Sequence, residues 1–127
     1  MKIEINSLTY APEYPTEFVN RLERLILEAK ESDKNYNIDH TNCRYKGTRY
    51  YNNERILQVI LGNIRSSYET EFRKNGSDWE TANKNSFTAA LDWAKTATDE
   101  TLTEIVNRAL DYSAAADYWY KFEKEWD

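Results

Sequence analysis

Cysteine occurs once in the 127 residues, as Cys43, and histidine once, as His40. One cysteine forms no intramolecular disulfide, and one of each is too few for a zinc shell of three or four nitrogen or sulfur ligands. Glycine and proline are equally sparse, at 3 and 2 residues. That scarcity excludes collagen-like and low-complexity chains and leaves few points where regular structure has to break. No apolar run approaches the roughly 20 residues of a membrane span; residues 25–27 and 59–61 typify the short stretches present. The first residues also lack the basic, apolar and small-residue pattern of a secretory leader. The expectation is therefore a soluble, cytoplasmic chain with no membrane partner.

Apolar residues make up 40% and charged residues 31%, a balance that supports folding, and the length suits one domain spanning residues 1–127. Net charge is −5, and its distribution is uneven: beyond Thr98 stand 8 acidic and 3 basic residues, while the preceding part is balanced. A localised acidic bias disfavours bulk attraction to nucleic acid or anionic lipid, both of which need clustered Lys and Arg. It favours a partner with a basic surface.

Residues 1–6 alternate apolar and polar, which predicts a short strand burying Met1, Ile3 and Ile5. Pro12 and Pro15 make a lead-in, and from Thr16 the period changes. Phe18, Leu22, Leu25, Ile26 and Ala29 recur at three and four, predicting a helix over residues 16–31. Residues 32–53 hold neither period; Lys46-Gly47 between two tyrosine-containing stretches makes them a loop or a small hairpin pairing with the opening strand.

The spacing of Ile56, Leu57, Ile60, Leu61, Ile64, Tyr68 and Phe72 predicts a helix over 54–74, stopped at Asn75-Gly76. Ser77 and Glu80 have capping-box spacing and open a third helix over 78–96, with Trp79, Ala82, Phe87, Ala90, Leu91 and Ala94 inward. Thr98 or Asp99 caps a fourth over 99–126. Together these readings give a mainly α fold, a four-helix bundle with a small β element from the N-terminal and middle segments.

Asp39, His40 and Cys43 are close in sequence, but a Cys/His nucleophile needs a third orienting group and an oxyanion site that no motif supplies. No metal, no cofactor and no catalytic residue is therefore assigned. Glu69 and Glu71 form one carboxylate pair and Glu100 and Glu104 another, read as wet helix faces. On the second helix Arg55, Gly62, Ser66 and Arg73 share a polar arc, read as solvent-facing.

Two surfaces carry the functional expectation. Glu100, Glu104 and Asp111 lie opposite the apolar stripe of the fourth helix, and Tyr118, Trp119, Phe122 and Trp126 spread around its far end. One core cannot cover every side of a helix, so these rings point to another protein or to a homo-oligomer. The expected function is a non-enzymatic binding protein, by size and charge of the kind seen in small acidic inhibitors, immunity proteins and mobile-element anti-defence proteins. The alternative is a nucleotide-binding protein using Arg44, Tyr45, Arg49, Tyr50 and Tyr51, where cations interleave with rings that stack on bases.

Overall fold

The structure, a computed structural model, describes residues 3–6, 10–32 and 53–111. It is mainly helical: α1 spans Thr16–Ser32, α2 Asn53–Lys74, α3 Trp79–Thr96 and α4 Asp99–Asp111. Helix boundaries follow local chemistry. Pro15 offers its carbonyl to the Val19 N–H as the first turn of α1 forms, a role compatible with its missing donor. Gly76 ends α2 with φ at +101°. There the Ser77 N–H reaches the Phe72 carbonyl at 3.0 Å and the Gly76 N–H the Arg73 carbonyl at 3.1 Å, a Schellman pair. Thr98 caps α4 by accepting the Thr101 N–H at 3.2 Å.

The cap of α3 is Asp78, not Ser77: its carboxylate accepts the Thr81 N–H at 2.8 Å. A carboxylate next to free helix N–H groups is a strong acceptor, and this bond holds the Asp78 carboxyl below the usual range. The shift of one residue puts Trp79 first in α3, where it is 61% exposed instead of inward.

Leu22, Ile26, Ile56, Ile60, Ile64, Leu102, Ile105 and Val106 are fully buried and form one core shared by α1, α2 and α4, with Ala90 and Ala94 of α3 closing its side. α2 packs most extensively on α3, and α1 on α4. Arg21 and Arg24 tie α1 to the start of α4, where both guanidinium groups hold Asp99, at 2.8 and 2.9 Å; that contact lowers the Asp99 pKa.

The small β element is absent among the described residues. Residues 3–6 form no regular element, and their main chain bonds to helix side chains and not to a strand. The 43–51 hairpin, the rest of residues 33–52, and residues 112–127 of the expected fourth helix lie outside the described residues.

Candidate functional site

α2 is the central helix, and from Val59 to Ser67 only Leu61 is less than fully buried. Its polar residues Asn63, Arg65, Ser66 and Ser67 are all buried, so the arc containing Gly62 and Ser66 is not the wet face the sequence suggested. The cause is the lead-in, which crosses α2 and needs partners for its own main chain. Ser67 Oγ accepts the Glu4 N–H at 2.9 Å. Asn63 meets Asn6 on both sides, accepting its N–H at 2.9 Å and donating to its carbonyl at 3.1 Å. The second amide hydrogen of Asn63 goes to the Val59 carbonyl, which satisfies the side chain fully. From α4, Arg108 donates to the Ile3 carbonyl at 2.7 Å.

Residues 3–6 and 10–15 form a strap over the helices, and Arg65 anchors its second part. Its Nε donates to the Tyr10 carbonyl at 3.2 Å, and Nη1 serves Glu69, Ser86 at 3.1 Å and Asn83 at 3.2 Å. The guanidinium also lies 5.4 Å from the ring centres of both Tyr10 and Phe87, which meet edge to face. At 4% exposed it is almost wholly desolvated, a state that Arg tolerates only with its charge compensated and its donors engaged. Tyr14 completes the strap by donating its hydroxyl to the Leu61 carbonyl at 3.0 Å, and burial pushes its pKa well above the ordinary tyrosine value.

Burial lowers the pKa of Lys30, whose ammonium donates to Asn53 Oδ1 at 2.6 Å and links the end of α1 to the start of α2. Among the described residues no group of His, Cys, Asp and Glu has the arrangement to hold a metal ion, and no helix is long and apolar enough to cross a membrane.

Glu100 and Glu104 are both exposed, one turn apart on α4, on the side away from buried Leu102, Ile105, Val106 and Ala109. Asp111 is the last residue of α4. Of the paired carboxylates on α2, Glu69 is the partner of Arg65 and mostly buried. The aromatic group Tyr118, Trp119, Phe122 and Trp126, the basic group Arg44, Tyr45, Arg49, Tyr50 and Tyr51, and the Asp39–Cys43 cluster all lie outside the described residues. Sequence reasoning missed Asn63, Arg65, Ser67 and Arg108. The available signal was a run of polar residues inside the longest apolar helix, at positions where its neighbours are core.

No family model, curated protein or solved structure matches this chain.

Proposed function

We propose that the protein acts by docking on a basic surface of another protein, with the outer face of α4 as the steering element. The observation that carries this reading is the pair Glu100 and Glu104: exposed, on one side of α4, and without an ion pair among the described residues. The first turn of the same helix is tied to α1, because Asp99 pairs with Arg21 and Arg24. Two exposed carboxylates with no ion pair among the described residues add to the acidic bias beyond Thr98. Charges so placed raise the association rate with a cationic partner and select its orientation, more than they set affinity.

The finer reading is a small acidic inhibitor or immunity-type protein, including the anti-defence proteins of mobile elements, with Tyr118, Trp119, Phe122 and Trp126 supplying the apolar contact. It rests on size, charge and the density of rings near residue 127. Such rings are the usual hot-spot residues of interfaces whose rim is charged.

The test is photo-crosslinking in cells that express the protein, from a probe at exposed Asn107 beside the two carboxylates and from a control probe at exposed Lys84 of α3. A protein adduct specific to position 107, and lost on replacing both Glu100 and Glu104 by Lys, supports the reading. Equal adducts from both positions, or an adduct indifferent to charge reversal, overturns it.

A further inference from the structure

The corner between α2 and α3 carries a reactive pair. Asn75 is the one asparagine of the chain that is followed by glycine. The side-chain amide carbon of an asparagine can close a five-membered ring on the nitrogen of the next residue, and the main obstacle to that closure is the next residue's Cβ. Glycine has none. Nothing lies within 4 Å of the place where a Gly76 Cβ would stand, so no neighbouring group crowds the approach. Asn75 and Gly76 are both exposed, and no hydrogen bond holds the Asn75 side-chain amide among the described residues. Other asparagines are held or shielded. Asn63 bonds to Asn6 and Val59 and precedes Ile64, and Asn83 accepts from Arg65 and precedes Lys84. Asn53 accepts from Lys30 and precedes Glu54, and exposed Asn107 precedes Arg108.

We propose that Asn75-Gly76 is a self-modification site, at which Asn75 is converted to aspartate or isoaspartate with water as the sole co-reactant. Hydroxide takes the proton of the Gly76 N–H, the nitrogen bonds to Asn75 Cγ, and the amide C–N bond breaks to release ammonia. Water then opens the succinimide at either carbonyl, leaving aspartate or isoaspartate at residue 75; nothing is oxidised or reduced. The helix stop is the gate. The Gly76 N–H donates to the Arg73 carbonyl at 3.1 Å, and the nitrogen attacks only when that bond is open. Arg73, Lys74, Asn75 and Gly76 are all exposed, so this end of α2 opens without disturbing the core. The product cannot restore the old stop. It places a carboxylate at a helix C-terminus, where the dipole disfavours negative charge, and isoaspartate adds a methylene to the main chain, which moves the N–H groups of Gly76 and Ser77 off the Arg73 and Phe72 carbonyls. The conversion runs one way, so its extent records the age of the chain. This inference is independent of α4 and its carboxylates.

The test is timed incubation of the folded full chain in mildly alkaline buffer, followed by peptide mapping with tandem mass spectrometry. The peptide holding Asn75 gains one mass unit and splits into aspartate and isoaspartate peaks, at least about tenfold faster than any other described asparagine is converted. The rate rises in proportion to hydroxide and is unchanged by low urea, because the gate opens locally. Gly76→Ala slows conversion at least about tenfold. That variant also weakens the helix stop, so a site governed by flexibility alone would react faster in it, and the direction of the change separates ring closure from fraying. Asn75→Gln shows no gain at residue 75. Conversion of another described asparagine ahead of Asn75, a rate that climbs with urea in step with global unfolding, or a Gly76→Ala variant that converts as fast as the wild type overturns the proposal. The urea series uses only the wild type and decides the matter even where Gly76→Ala does not fold.

Discussion

Replacing Arg65 by Met removes a guanidinium that serves four groups and leaves Glu69 behind. The Glu69 side chain is 14% exposed, so its carboxylate loses its charge partner and regains little water. Breaking a buried ion pair in this way costs about 3–5 kcal/mol. The lost contacts with the Tyr10 and Phe87 rings add about 1 kcal/mol. Against a total stability of roughly 5–15 kcal/mol for a domain, the single variant sits near the edge of unfolding. Its melting temperature falls by about 15 °C.

The double variant Arg65→Met, Glu69→Leu separates charge from packing. It recovers most of the loss, because a buried pair replaced by apolar groups of similar volume is often neutral. Arg65→Lys falls between, since an ammonium keeps the charge but lacks the fork that reaches both Glu69 and the Tyr10 carbonyl. The assay is urea unfolding followed by circular dichroism, with all four proteins at one pH. A single-variant loss below about 1 kcal/mol, or a double variant no more stable than the single, would refute the claim that this network bears the desolvated charge.

Gly76→Ala meets no neighbouring atom, so its entire effect is the backbone strain of positive φ, about 1–2 kcal/mol by urea unfolding. At alkaline pH, Tyr14 has a folded pKa raised above its unfolded value of 10, so its contribution is intact below pH 10 and lost as pH rises further; Tyr14→Phe flattens that decline and loses about 1 kcal/mol at neutral pH from the bond to Leu61. At acid pH, Asp99 has a folded pKa below its usual 3.8, so its contribution is present above that value and lost as pH falls through the folded pKa. Asp99→Asn removes this acid limb from a stability-against-pH profile, and the wild-type effect shrinks in high salt. Ile60→Ala, at a fully buried site, costs about 2–5 kcal/mol, whereas Leu27→Lys at an exposed one stays within about 0.5 kcal/mol, both by the same unfolding assay.

Apolar spacing was enough to place the first three helices and the start of the fourth within a residue, because each presents one stripe to a common core and the boundaries at Gly76 and Thr98 are local. The partner of the opening segment was not legible. Alternation in residues 1–6 reports an extended backbone with one buried side, and that holds whether a strand or a row of helix side chains supplies the hydrogen bonds. For the same reason the arc of Gly62 and Ser66 read as solvent-facing and Asn63 and Ser67 were missed: a polar residue in a helix looks alike whether water or a crossing chain meets it. Trp79 was misplaced because periodicity puts it on the side of buried Ala82 and Ala90 but does not show that it is the first residue of α3, at the helix end, where it is exposed. Glu100 and Glu104 were placed correctly on the outer side of α4 because their position depends only on helical period.

The strap joins parts of the chain that are made far apart in time. Glu4 waits for Ser67, 63 residues later, and Ile3 for Arg108, 105 residues later. Closing loops of that length is entropically expensive, while the helix hairpin of α2 and α3 closes across the few residues around Gly76. During synthesis residues 3–6 therefore emerge before the helices that they meet and dock last, after the surface that receives them has been assembled. Refolding should show a helical phase first and a slower phase reported by the Glu4 and Asn6 amides; simultaneous protection of those amides and the helix core would contradict that order.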